Sequence, residues 1–549
     1  MLLFKHDQHC QTLTIYLSLA KVRQRLQAKG ILMPHLTQSP IVEGNFKKKR
    51  KRKFQNMKNN SKSSVQFLLI LMLFISDFEL QAQQKEIYPK DTKVKIKQVE
   101  NNLSAWLKIE NNPQKWTLKE RMIFYKANGV SIAVIKDYKI EWVKAYGFAD
   151  SLKERPVTKE TLFQAGSNSK SLNAVGILKL VQEGKLNLDV DINNYLKTWK
   201  FPYDSLSRGK IITIKNLLSH TAGLNVHGFF GYKNQEAIPT IIQILDGQKP
   251  ANSEAIRSLF EPSLKYEYSG GGTTISQLIV QDVAGIPYDV YMFENVLKPL
   301  NMNNSFFTQP PPTIKQELLA TGFYNDGKSV SGKYHIYPEQ AAAGLWTNPT
   351  DLAKYVIETQ LSLLGKSQKV LSKEMTELRL TPFIDDKSAL GVFIIDRNGV
   401  KNFEHGGVDE GFVSQYVGTL QGGNGVVVMT NTYNTALFDE IIRSVALTYE
   451  WKNAYTPEVK KEVFINDKDL QSYVGKYTNG SKDFFVTKKS KVLYFNFEDD
   501  RGNLTWKIHF INTSNFCMIE NNSEFNFAKD VNGKIIALKW NDETLKKIE

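Results

Sequence analysis

Apolar residues recur at helical spacing through 167–184, SNSKSLNAVGILKLVQEG, where Leu172, Val175, Leu178 and Val181 share a face. Gly184 is a natural stop, and the residues just ahead read as an extended run turning through Ala165-Gly166. A period of two governs 129–150, GVSIAVIKDYKIEWVKAYGFAD, which predicts a β-hairpin turning at Lys136-Asp137-Tyr138. A helix is expected around 99–108, and an apolar stretch with a helical turn ending on Gly223 over 211–224. Between 266 and 285 the pattern predicts a helix with Thr274 and Gln277 as capping box, Ile275, Leu278, Ile279 and Val283 as buried face, and Gly285-Ile286-Pro287 as terminator. Asn348 and Pro349 open another helix to 361 as N-cap and first residue. Then come a hairpin from 390–396 and 401–404, a buried strand at 426–430 and a closing helix at 436–451. From about Thr456 short alternating strands separated by Asn, Gly and Asp predict a small antiparallel β-barrel or curved sheet. Its expected core is Tyr473, Phe485, Tyr494, Phe495, Phe497, Trp506 and Phe510.

Length and composition add limits. A chain of 549 residues suggests two to four domains, and 42% hydrophobic content supports packed cores. The net charge of +15 is concentrated at the start, where residues 1–56 hold twelve Lys or Arg against two Asp or Glu. The run KKKRKRK at 47–53 is the sole nucleic-acid signal, and no nucleic-acid partner is expected. Directly after it come a basic stretch from Met57, FLLILMLFIS at 67–76 and Leu80-Gln81-Ala82, the layout of a secretory signal peptide. The apolar run is too short to span a bilayer, and no cysteine lies nearby for a lipid, so no stable membrane anchor is expected. The expectation is a secreted or periplasmic protein cleaved near Ala82, with 1–56 as upstream sequence or a basic leader. Residues 83–118 form a lead-in, 119–455 one domain and 456–549 a second. Cys10 and Cys517 leave the mature chain one cysteine and no intramolecular disulfide. There is no Cys/His cluster and no His-Glu-x-x-His, so neither metal nor cofactor is expected.

The candidate chemistry starts at Ser167 and Lys170. Positions i and i+3 share a helix face, and a helix N-terminus offers unpaired N–H groups and a partial positive charge. A serine there with a lysine in reach is a nucleophile with a base. A serine before a helix is also an ordinary N-cap, and Ser-x-x-Lys recurs at Ser18/Lys21 and Ser207/Lys210. Tyr268 falls on the loop before the next helix, where a phenol points into a cleft or packs as a loop tyrosine. His220 reads as a hydrogen-bonded packing residue more readily than as a base. In Glu404-His405-Gly406-Gly407-Val408 the glycines suit a loop turn or a close backbone approach.

Taken in order, Ser167-x-x-Lys170, Tyr268-Ser269-Gly270 and His405-Gly406-Gly407 resemble the motifs of the serine β-lactamase and penicillin-binding family, nearest to its class C branch with the esterases and D-aminopeptidases. The blocks LLSHTAGL (217–224), YSGGGTTISQLI (268–279), LKPLNMNNSFF (297–307) and AAAGLWTNPTDLAKY (341–355) agree, and the likeness covers about 125–450. It implies an α/β (α+β) domain: an antiparallel sheet flanked by helices, an inserted helical region and an active site between them. Ser167 would be acylated, Lys170 and Tyr268 would be the proton-transfer pair, and the N–H groups of Ser167 and Val408 would form the oxyanion hole. His405, Gly406 and Gly407 would line the cleft, with His405 where many relatives carry the lysine of Lys-Thr-Gly. Gly270 stands where many relatives have the asparagine of Tyr-x-Asn. Both departures point towards esters or small D-amino-acid peptides as substrates. A penicillin-binding or β-lactam-hydrolysing protein, or a non-turnover sensor of the same fold, is the alternative. An α/β-hydrolase is excluded, because no Gly-x-Ser-x-Gly elbow follows an oxyanion loop. The C-terminal strands resemble the lipocalin-like domain found in some of these hydrolases. A lysine base must be uncharged, which requires its pKa to fall from about 10.4 towards about 7.

Overall fold

Strand 129–136 shows how the sheet is made. In this computed structural model, which describes residues 88–111, 114–451, 455–499, 502–520, 523–540 and 543–548, Gly129–Lys136 is buried along nearly its whole length. It pairs with its hairpin partner Lys139–Asp150 on one side and with Gly425–Thr430 on the other. A strand covered on both faces has no polar side, so its run is continuously apolar. The expected signal segment and basic leader lie outside the described residues.

The full sheet has seven antiparallel strands in the order 155–156, 139–150, 129–136, 425–430, 412–419, 400–409 and 393–397. Side chains alternate across it. Val130, Ile132 and Val134 join Ile96, Val99, Leu437, Ile441 and Val445 from Lys90–Asn101 and Ala436–Thr448. Ala133 and Ile135 face the larger core with Leu172, Leu352 and Val356 from Asn168–Gln182 and Pro349–Leu363. Helices Ile214–Leu218, Ile241–Asp246, Gly270–Ala284 and Tyr288–Met292 are inserted between the Ser167 helix and Pro349–Leu363. The fold is thus the mixed α/β arrangement expected. Among the described residues no helix is long and apolar enough to cross a membrane.

Several local expectations shift. The lead-in helix is Lys90–Asn101, not 99–108: Thr92, Ile96 and Val99 form its buried stripe, and Asn102 ends it. Residues Leu107–Ile109 are instead a strand pairing in parallel with Glu458–Lys460. The helix after Tyr268 begins at Gly270, with Ser269 as N-cap accepting the Gly272 N–H at 2.9 Å. Thr274 lies inside it, its hydroxyl donating to the Gly270 carbonyl. Three glycines enter this helix against their propensity; a Cβ on Gly271 would lie 3.0 Å from the Ile256 side chain and one on Gly270 3.0 Å from the His227 carbonyl oxygen. The helical turn before Gly223 is shorter, Ile214–Leu218, and Asn348 and Pro349 cap their helix as expected.

The C-terminal residues form a nearly closed antiparallel sheet of nine strands, ordered 502–507, 492–499, 483–489, 475–478, 543–547, 535–540, 523–529, 515–518 and 509–510. Its interior is filled by Tyr477, Phe484, Phe495, Phe516, Phe525 and Phe527. Neither Phe485, which is 39% exposed, nor Tyr494 is in that core, because Phe484 and Val486 on one strand and Leu493 and Phe495 on the next take the inward positions.

A buried ion pair ties helix Leu118–Phe124 to helix Ala436–Thr448. Arg121 donates from Nε and a terminal nitrogen to both Glu440 oxygens at 2.8 and 2.6 Å, and the Tyr125 hydroxyl donates to the same carboxylate at 2.7 Å. Removing one partner strands a buried charge. Arg121→Met is expected to lower unfolding free energy by about 3–5 kcal/mol, read by chemical denaturation, whereas a surface change such as Lys185→Met alters it by about 0.5 kcal/mol or less.

Candidate active site

Ser167 is placed by a turn that only glycine permits. Phe163–Gln164 pairs with Trp346–Thr347, and Gly166 then takes a φ of +51°. A Cβ on Gly166 would lie 2.5 Å from the Val408 nitrogen, and one on Gly407 would lie 1.8 Å from the Ala165 carbonyl oxygen. The two backbones therefore meet at contact distance. The glycines at 406 and 407 lie within strand Val400–Asp409 rather than in a loop turn, so close approach is the reason for them. Two side chains fasten the junction: Asp409 Oδ2 accepts the Gly166 N–H at 3.2 Å, and Ser414 Oγ donates to the Ala165 carbonyl at 3.0 Å.

Ser167 occupies the N-cap position of Asn168–Gln182, but its side chain caps nothing. Its Oγ instead accepts a hydrogen bond from Lys170 Nζ at 2.9 Å. A second bond from Nζ goes to the Ala342 carbonyl at 2.8 Å, and the amine stands 5.1 Å from the Tyr268 ring centroid. Lys170 is 3% exposed. Burial lowers its amine to about 7, with the nearby Asp409 carboxyl pulling in the opposite direction.

Tyr268 lies beside the same serine, its ring facing the Lys170 amine. Burial raises its phenol well above the usual value, with the neighbouring Ser167 hydroxyl opposing this. Its ring is flanked by His220, centroids 4.3 Å apart, and by His227 at 4.7 Å. His220 Nδ1 accepts the Ser269 N–H at 3.2 Å. Burial, with Lys170 adding to it, holds the ring neutral. His220 thus packs behind Tyr268, as its sequence context suggests.

His405 lines the cleft without charge. Its Nδ1 lies 2.6 Å from the Gly406 carbonyl, which requires the proton on Nδ1 and leaves Nε2 as an acceptor. That Nε2 is buried with no partner. Burial first, and then Lys170, lower the imidazole to about 3. A neutral histidine does not reproduce a lysine's field.

The cleft around these groups measures about 870 Å³ and includes Ser167, Lys170, Tyr268, His405, Gly406, Gly407 and Val408 among its lining residues. All the sequence-predicted site residues therefore meet in one place. Sequence reasoning missed His227, Ala342 and Asp409. Ala342 acts through a backbone carbonyl and leaves no side-chain signal, whereas the position of Asp409 just past His-Gly-Gly was a usable cue. Among the described residues, no group of three or more His, Cys, Asp or Glu side chains is arranged to hold a metal.

Comparison with known proteins agrees with this geometry. A family described as Beta-lactamase matches residues 117–450. Protein flp of Staphylococcus aureus (strain N315) is 26% identical over 312 residues, covering 55% of this chain and 59% of that protein. This chain thus spans about three fifths of the length of that relative. The putative penicillin-binding protein PbpX of Bacillus subtilis (strain 168) is 25% identical over 313 residues, 56% of this chain and 72% of that protein. The octameric penicillin-binding protein homologue from Pyrococcus abyssi shares the fold, with a TM-score of 0.54 at 24% identity over 78% of this chain and 98% of that one. With the match running over more than half its length, the chain belongs to the Beta-lactamase family.

Proposed function

We propose that this protein is a secreted serine hydrolase that works through an acyl-enzyme on Ser167, acting on esters or on small peptides and amides, including those of D-amino acids. The observation that carries the reading is the 2.9 Å hydrogen bond between Ser167 Oγ and the buried amine of Lys170. Uncharged, that amine takes the Ser167 proton along the same line while Oγ bonds to the substrate carbonyl carbon. The oxyanion that forms is held by the N–H groups of Ser167 and Val408. Collapse breaks the ester C–O or amide C–N bond, and the leaving group takes the proton back from Lys170 through the Tyr268 hydroxyl. Water then repeats the sequence and frees the acid.

The two pKa directions support this division of roles. An amine lowered to about 7 is a competent base near neutrality, whereas a phenol pushed up stays protonated and serves as a relay. Gly270 supplies no amide to a substrate's acylamino group, and neutral His405 supplies no cation for a carboxylate. Both favour esters and simple amides over β-lactams. Penicillin binding, suggested by the name of the Bacillus relative, is the second reading. It requires a benzylpenicillin adduct on Ser167 that persists for hours.

A fluorophosphonate is expected to leave one adduct, mapped by mass spectrometry to Ser167 and absent in Ser167→Ala. No adduct, or an equal one in the variant, sinks the proposal. The labelling rate is expected to rise with pH through about 7, as Lys170 loses its proton. Lys170→Met should lower the rate about 10²–10⁴-fold and flatten that dependence. A variant that keeps both the rate and the pH profile removes Lys170 from the mechanism.

A further inference from the structure

The two N–H groups that would hold the oxyanion belong to segments far apart in sequence, and the side chain of Asp409 ties them. Its Oδ2 accepts the Gly166 N–H at 3.2 Å. Gly166 precedes Ser167 and Asp409 follows Val408, so this one bond joins the immediate neighbours of both donors. The backbones have no slack there: a Cβ on Gly166 would stand 2.5 Å from the Val408 nitrogen. Gly166 is buried, with a φ of +51°. A buried N–H in such a turn is costly unless it is paired, and Asp409 supplies its acceptor.

The carboxyl that makes this bond is suited to work without charge. Asp409 is 3% exposed, and its Oδ1 has no hydrogen-bond partner. An ionised carboxylate held by a single hydrogen bond out of water is far costlier than the neutral acid. Burial raises the Asp409 carboxyl well above the usual range; Lys170 from helix Asn168–Gln182 and the Gly166 bond oppose this, while Glu410 and Glu339 add to it. Glu339, from the turn before Gln340–Ala343, is fully buried and itself raised to about 8 by burial. Tyr268 and Tyr337 complete the titratable groups that face Asp409. A carboxylate beside Lys170 would hold the amine in its charged form. An uncharged acid leaves it able to act as a base.

We propose that Asp409 is a positioning residue of this site: its carboxyl clamps the Gly166-Ser167 turn onto strand Val400–Asp409 and so sets the spacing of the Ser167 and Val408 N–H groups around the substrate carbonyl oxygen. It does this as a neutral acid. The inference rests on the serine hydrolase reading and adds the residue that aligns its oxyanion hole.

The parent chain, Asp409→Ala and Asp409→Asn test it; the last keeps an oxygen for the Gly166 N–H but cannot ionise. Asp409→Ala is expected to lower the maximal rate of fluorophosphonate labelling about 10²-fold, the scale of losing one oxyanion donor, while the half-saturating concentration moves less than about threefold. Asp409→Asn should recover at least about tenfold of that loss and keep the midpoint of the pH profile at about 7. Hydrogen exchange in peptides spanning 163–172 reads the clamp without any reaction. The Gly166 amide is expected to exchange at least about tenfold faster in Asp409→Ala and to regain protection in Asp409→Asn. A rate or an exchange unmoved by Asp409→Ala, a loss confined to half-saturation, or an Asn variant as slow as the Ala variant overturns the inference. So does a midpoint lowered by about one pH unit or more in Asp409→Asn, which would make Asp409 a charged partner of Lys170. Should Asp409→Ala not fold, Asp409→Asn decides: protection at Gly166 and an unmoved midpoint support the inference, and loss of either overturns it. A parent chain that resists the fluorophosphonate while Gly166 exchange responds as expected overturns the hydrolase reading alone. A labelled Ser167 with unmoved rate or exchange overturns the inference alone.

Discussion

A lysine amine buried beside a serine is the constraint on which this structure turns. Taking an amine out of water disfavours its charged form, and lowering it from 10.5 to about 7 corresponds to about 5 kcal/mol between its two protonation states. That environment is maintained because Lys170 sits in the first turn of a helix buried on nearly all sides. Among the described residues, its hydrogen-bond partners are Ser167 Oγ and the Ala342 carbonyl. A looser surrounding would admit water and restore the ordinary amine.

Keeping that enclosure requires three distant segments to meet. The helix of residues 168–182 supplies one wall, the Tyr268 loop with its two histidine rings the second, and strand 400–409 the third. The last junction has no slack: backbone lies against backbone at Gly407 and Ala165, and Asp409 holds the Gly166 N–H. The sheet makes this meeting possible by pairing Gly425–Thr430 with Gly129–Lys136 across almost three hundred residues of chain.

The outer face of that sheet is secured separately. Lys90–Asn101 and Ala436–Thr448 cover it, and the Arg121–Glu440–Tyr125 cluster joins helix Leu118–Phe124 to helix Ala436–Thr448. Helix Ala436–Thr448 also brings Phe438 into the cleft wall, so one element serves both the joint and the site.

By itself the sequence determined the elements whose signals are local. The hairpin at 129–150, the helix after Ser167, the caps at Asn348 and Pro349 and the run of short C-terminal strands all follow from period and turn chemistry within a few residues. The order of the three motifs sufficed to bring Ser167, Lys170, Tyr268 and His405 together. What failed was set by packing between distant segments. The lead-in helix ended seven residues earlier than expected because the sheet face selected the stripe Thr92, Ile96 and Val99. The glycines at 270–272 lie inside the helix because Ser269, not Thr274, caps it. Phe485 turned outward because strand register gave the inside to Phe484 and Val486. Only tertiary structure decided charge. The lysine is lowered, the phenol raised and His405 held neutral by burial among residues far apart in sequence, and desolvation is a property of the enclosure rather than of any stretch of chain.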